Sequence, residues 1–293
     1  MDLKLKNIIS VLLVLAIFFF LGRTLYNSYS EIANFEFTIN WSLAIVSIVY
    51  PIIFFLLMGY AWRICLEYFG YFIHKKKGIY YWCKSQLWKY IPGKIWYVIC
   101  RAQLLSRDNV PKQDSYASMV LEMVFLTDAA LILAVIFLNK SISNIMNIYL
   151  AFALIVLGLI AIHPKLLNFI VSKIKRLNIN LKKDYLHMLK LLIFYLFIFF
   201  VSCIGFYFFA SSIYHGLNFY YAVGSFALSY FLGLAVIFSP GGLGVREGIL
   251  SLMLSSVMPL PMAIIIAFAT RIWWTLAELI SILISWQLAK NNS

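Results

Sequence analysis

The ionisable residues that stand inside otherwise apolar segments are Lys94, Arg101, Glu122, Asp128, Arg246, Glu247, Arg271 and Glu278. A charge near a bilayer centre costs about 2.5–3.5 kcal/mol on insertion scales, so such residues are kept for pairing or for function. Lys94 and Arg101 follow Pro92-Gly93, and Arg246-Glu247 follow Pro240-Gly241-Gly242-Leu243-Gly244. Cations placed just beyond two glycine-containing turns suit an anionic headgroup. Glycine lets backbone approach a ligand closely, lysine supplies a compact, mobile point charge, and free N–H groups at a helix start add partial positive charge. The acids Glu122, Asp128, Glu247 and Glu278 are expected to pair with these cations or to carry protons. Burial of unlike charges predicts Arg101 with Glu122 and Arg271 with Glu247. Asp128, six residues after Glu122, and Glu278, seven after Arg271, are each expected on the face of their predecessor.

The elements that must hold these residues are membrane helices. Of 293 residues 63% are hydrophobic and 12% charged, far from the roughly one-quarter charged of a soluble domain. Apolar runs at 8–25, 41–62, 116–138, 146–162, 191–213 and 262–288 are each about long enough to cross a hydrocarbon core of roughly 30 Å as a helix. The first has no small-residue cleavage site behind it and reads as a retained helix. The basic residues cluster at Lys4 and Lys6, from Arg63 to Lys89, at Arg107 and Lys112, from Lys165 to Lys190 and at Lys290. By the positive-inside rule these loops face the cytoplasm, whereas the loop carrying Glu31 and Glu36 faces outside. The +13 net charge therefore points to lipid and not to nucleic acid.

Two apolar segments are broken by turn residues, the first into pieces too short to span singly; the first half of the second is long enough to span, and a kink in a tilted helix is the other reading there. Residues 78–105 are interrupted by Pro92-Gly93-Lys94, and the segment from Phe219 is interrupted at Pro240 to Gly244. Proline removes a backbone donor and glycine weakens a helix, so each break predicts a turn. The fold expected is an all-α polytopic membrane protein, a single transmembrane domain over 1–293, with about six spans and two re-entrant broken hairpins. Span, hairpin and span recur as an inverted repeat over approximately 41–138 and 191–289, with both termini in the cytoplasm of a plasma (inner) membrane. Broken backbone at membrane depth needs protein or a wet cavity around it, so the two tips should meet. Residues 165–190 alternate apolar and basic positions as an interfacial helix on anionic lipid would. Cysteines and histidines are scattered without ligand spacing, so no metal site and no cofactor are expected.

Lys89-Tyr90-Ile91-Pro92-Gly93-Lys94-Ile95-Trp96, with Arg101 and Leu104-Leu105, and Ser239-Pro240-Gly241-Gly242-Leu243-Gly244-Val245-Arg246-Glu247-Gly248 resemble the two signatures of a flippase-like membrane family. That family is related to the transmembrane half of lysylphosphatidylglycerol synthases. Glu122 resembles the family's acidic position, and Arg271 with Trp273-Trp274 its last arginine-aromatic segment. The resemblance implies translocation of charged or anionic lipids, such as a phospholipid or a polyprenyl-phosphate-linked glycan precursor. It also implies membrane lipids as partners, with a homo-oligomer or glycan-assembly enzymes beside them. Because the sequence ends soon after the last apolar run, a stand-alone member without an aminoacyl-transfer domain is expected.

No Walker loop is present to supply ATP as the direct energy source. Two other readings remain open at this point: a membrane-embedded transferase of sugar or phospho groups, and a non-transporting scaffold of a glycan-assembly complex. The first needs a carboxylate facing the aqueous side, and Glu31 and Glu36 form no paired motif there.

Overall fold

The computed structural model describes residues 39–90, 96–141, 148–163, 165–166, 185–236, 242 and 244–290, together with Arg23 and Tyr26. The run at 8–25 apart from Arg23, the loop with Glu31 and Glu36, the residues Pro92, Gly93, Lys94, Pro240 and Gly241, and most of 165–190 lie outside the described residues.

The described chain is helical and contains no strand. Its helices are α1 (Trp41–Ser47), α2 (Val49–Glu67), α3 (Lys75–Gln86) with a 3-10 turn at Leu87–Tyr90, α4 (Trp96–Ser106) and α5 (Lys112–Ser141). They continue as α6 (Ile148–Ala161), α7 (Tyr185–Ile213), α8 (Phe219–Ala235), α9 (Val245–Leu254) and α10 (Leu260–Lys290). Trp41–Glu67, Lys112–Asn139, Tyr185–Ile213 and Leu260–Lys290 are long and apolar enough to cross a membrane. The protein is therefore an integral membrane protein. The run at 146–162 is represented by the 14 residues of α6, about 21 Å of helix.

Local chemistry sets the helix ends. Asn40 and Asn218 cap α1 and α8, each side-chain oxygen accepting a backbone N–H at 3.1 Å, from Leu43 and Tyr221, which satisfies one of the donors a helix start leaves orphaned. Pro111 and Pro259 stand just before α5 and α10, where a missing N–H costs nothing. One sequence expectation is corrected here: of the interfacial helix expected over approximately 165–190, Tyr185–Lys190 belong to α7, where Met188 is fully buried. The apolar periodicity of the span simply begins earlier than its charge pattern suggests.

Glycines allow the close helix contacts that hold membrane bundles together in the absence of a hydrophobic drive between helices. A Cβ on Gly59 of α2 would come within 2.8 Å of the Ile79 Cα on α3, and one on Gly224 of α8 within 2.7 Å of Leu138 on α5. Between these contacts runs an aromatic core. Phe206 stacks on Phe226 at 4.6 Å, Phe54 meets Phe199 at 6.3 Å, and Trp274 touches Phe54, Phe55, Phe226 and Tyr230 at 5.1–6.0 Å.

Both broken segments fold back on themselves. Lys77, near the start of α3, pairs with Asp108 beyond the end of α4, while Ser85 near the end of α3 meets Arg101 of α4 at 2.9 Å. Tyr221, at the start of α8, donates to the Met253 carbonyl near the end of α9 at 2.5 Å, and Gly233 near the end of α8 abuts the Arg246 stem at the start of α9. Each pair is an antiparallel helical hairpin. A single kinked helix would leave Tyr221 and Met253 far apart.

Candidate functional site

The inner ends of the two hairpins face one another across a cavity of about 160 Å³. Trp82, Gln86 and Lys89 come from the first arm of the first hairpin, and Tyr97 and Arg101 from its second. Tyr230, Gly233, Gly242 and Arg246 come from the second hairpin. Phe54 and Phe55 of α2, Glu122 and Met123 of α5, and Arg271 and Trp274 of α10 are also in the wall. Among the described lining residues, four cations stand against the carboxylate of Glu122.

The first hairpin presents a sealed arginine. Arg101 is 1% exposed, donates to Glu122 at 2.5 Å and to Ser85 at 2.9 Å, and lies over the rings of Trp62 and Trp82 at 4.8 and 5.5 Å. The second Glu122 oxygen accepts from the Trp82 indole at 2.5 Å. Charge-assisted bonds of this kind are the strong ones, and here they join α3, α4 and α5. Lys89 reaches across to Glu278 of α10 at 2.7 Å, so the turn of the first hairpin is tied to the last helix as well.

The second hairpin handles charge differently. The guanidinium of Arg246 rests over Tyr230 at 4.3 Å and Trp274 at 5.3 Å, a cation–π arrangement that is strongest away from water. Its stem is accommodated because Gly233 and Gly242 have no side chains. A Cβ on Gly242 would fall 3.1 Å from the Arg246 Cδ, and Gly242 and Gly244 have φ of +72° and +81°, backbone that glycine adopts without penalty. Glu247 turns away to cap its own helix, accepting from the Gly244 N–H at 2.7 Å, and pairs with Arg271 at 3.5 Å.

The ion pairs Arg101–Glu122 and Arg271–Glu247 anticipated from the sequence are both present. Arg101, Glu122, Gly242, Arg246 and Arg271 line the cavity, with Gly244, Glu247 and Glu278 bonded to its neighbours or its wall. Three expectations are corrected. Asp128 does not share a face with Glu122: it packs toward Gly158 of α6, where a Cβ would sit 3.6 Å from its Oδ1. At ~100° per residue, six residues turn a helix through about 600°, which leaves the two side chains roughly 120° apart. Lys89, grouped with cytoplasmic loop charges, lines the cavity instead. Its signal was available in its place one turn before Pro92. Third, the backbone N–H groups at the helix start after the second turn were expected to be exposed, and one of them, that of Gly244, is taken by Glu247.

A polytopic membrane protein whose polar centre lies between two helical hairpins is the class these features define. The chain belongs to the family described as the lysylphosphatidylglycerol synthase TM region, whose model matches residues 7–280. A comparison with curated proteins gives no match. Membership relates the protein to lipid-modifying and lipid-handling membrane proteins.

Proposed function

We propose that the protein translocates an anionic, phosphate-bearing lipid between leaflets, as a flippase or scramblase and not as an enzyme. The observation that carries this reading is the cavity wall, on which Lys89, Arg101, Arg246 and Arg271 converge from both hairpins and α10 within an apolar protein. At about 160 Å³ the space is smaller than the ~300–1,000 Å³ of pockets that enclose a drug-sized ligand, so it fits a headgroup and leaves the chains outside. Met123 lines the cavity and is 41% exposed, which supports a lateral opening toward lipid. The substrate's phosphate would exchange with the carboxylates for the cations, loosening the hairpins from α5 and α10 as the headgroup passes.

In this reading the hairpins are re-entrant, one from each side, within an inverted repeat over approximately 41–138 and 191–289. Pro92, Gly93, Lys94, Pro240 and Gly241 form the tips, and both termini are cytoplasmic in a plasma (inner) membrane. A phospholipid or a polyprenyl-phosphate-linked precursor meets the chemistry.

The test is leaflet exchange of fluorescent anionic lipids, including a short polyprenyl phosphate, in proteoliposomes. Exchange by the wild type and its loss in folded Arg246→Ala protein is expected. Absence of exchange for every lipid, with or without a pH gradient or potential, would overturn the reading.

A further inference from the structure

Four carboxyl side chains are buried in the helices that surround the cavity: Glu122, Asp128, Glu247 and Glu278. Three are joined to cations, to Arg101, Arg271 and Lys89 respectively. Asp128 is treated differently. It is 7% exposed, stands near the middle of α5, and its Oδ2 is buried with no hydrogen-bond partner among the described residues.

Among the described residues, no cation faces it from the helices packed on α5. The titratable residue on α6, Tyr149, is 78% exposed. On α7, His187 and Lys190 are exposed, Tyr185 donates to the Leu159 carbonyl and packs tilted against the His163 ring, and Tyr195 meets Cys65. Arg101 of α4 is held by Glu122, Arg63 of α2 by Glu67, and on α8 Tyr221 bonds Met253 while Tyr230 underlies Arg246. An ionised carboxylate that is mostly buried and has no counter-charge among the described residues is costly, whereas a protonated one is neutral. Opposite it, Gly158 has no side chain, and a Cβ there would sit 3.6 Å from the Asp128 Oδ1, so the α6 backbone lies beside the carboxyl group with no side chain between them.

From this geometry we infer that Asp128 is a proton-binding site at the α5–α6 interface and that its protonation is coupled to headgroup movement at the cavity-facing side of α5. The inference rests on the translocation reading and assigns its coupling ion. α5 is the link: Glu122 on one face holds Arg101 at the cavity, and Asp128 lies about 120° around the same helix. Protonation makes an O–H bond to one carboxylate oxygen and removes the charge. Release of that proton to the other side of the membrane restores the carboxylate, which drives α6 away from α5 to admit water. No oxidant or second reactant takes part.

Two measurements test this on the whole protein. Infrared difference spectra in nanodiscs, taken across a pH series, are expected to show a protonated-carboxyl stretch that disappears in Asp128→Asn and shifts in Gly158→Ser, where a hydroxyl is placed against the acid. In proteoliposomes, a one-unit pH gradient is expected to sustain up to about tenfold leaflet asymmetry of an anionic phospholipid, the limit for one proton per lipid, and Gly158→Ser to reduce it. If Asp128→Asn fails to fold, Gly158→Ser carries both readouts. A carboxyl band indifferent to both substitutions would overturn the proton site while leaving lipid translocation standing. A band that behaves as expected in a protein that moves no lipid would overturn the coupling together with the translocation reading.

Discussion

The two hairpins each aim an arginine at the same cavity, yet they stabilise it by opposite means. Arg101 is closed in by a carboxylate, a hydroxyl and two indole faces. Arg246 is laid on aromatic rings, and the acid next to it, Glu247, is spent on the Gly244 N–H and Arg271. The first arrangement fixes geometry at the cost of burying both charges; the second holds a cation by its flat face against aromatic rings. The difference teaches that one hairpin is fixed by ion pairing and the other by packing; under the proposed function the first would be the anchor and the second the recognition element.

The largest effect that could break this contrast is Glu122→Ala. It leaves Arg101 buried without a counter-charge and Trp82 without its acceptor, a loss of about 3–5 kcal/mol, measured by thermal unfolding in detergent against wild type. Glu122→Gln, which still accepts from Trp82, should lose less. A loss well below ~1 kcal/mol for the alanine variant would mean that Arg101 finds water and that the first hairpin is no anchor.

The link between the anchor and α10 is Lys89–Glu278. Lys89→Met takes this cation from a carboxylate that is 1% exposed, and Glu278→Leu takes this acid from the ammonium, so each single variant should be less stable than the double. A double-mutant cycle is expected to give coupling of about 0.5–3 kcal/mol. Additive losses would detach the turn of the first hairpin from α10.

On the recognition side, Gly233→Ala drives a methyl into the Arg246 stem. Overpacking of this kind costs about 1–3 kcal/mol, and displacing the guanidinium from Tyr230 and Trp274 should lower lipid exchange by more than the stability loss explains. Unchanged exchange in a protein that still folds would show that the aromatic seat is packing alone.

Much of this arrangement is legible in the chain before any coordinates. The four long spans follow from uninterrupted apolar runs, because the bilayer demands about twenty such residues. The breaks at Pro92-Gly93 and Pro240-Gly241 predict turns, and the described arms on either side fold back as hairpins. Pairing of Arg101 with Glu122 follows from the cost of burying either alone. What composition and spacing do not carry is direction around a helix. Asp128 was assigned to the Glu122 face although six residues do not complete two turns, and it points to α6. Lys89 was absorbed into a run of basic residues because charge patterning reads loops by density; only the fold separates Lys77, which pairs at the outer end of the hairpin, from Lys89 at its inner end. The aromatic seat of Arg246 combines Tyr230 and Trp274 from two helices, a juxtaposition set by packing between segments far apart in sequence.

The smallest expected effects lie at the outer ends of the hairpins and sharpen the comparison by their response to salt. The first is closed by Lys77–Asp108, whose side chains are 42% and 21% exposed; the second by the Tyr221 hydroxyl on Met253 and Ser256. Tyr221→Phe removes a partly buried neutral hydrogen bond and should cost about 0.5–1.5 kcal/mol, with little change as salt is raised. Asp108→Asn breaks an ion pair within reach of water, worth about 0–1 kcal/mol, and most of even that should vanish near 1 M salt, where the Debye length is about 3 Å. Unfolding temperatures of the two variants at low and high salt therefore separate an electrostatic closure from a hydrogen-bonded one. If Asp108→Asn proved both costlier than Tyr221→Phe and indifferent to salt, the outer end of the first hairpin would have to be dry, and the charge pair there would count as a second anchor.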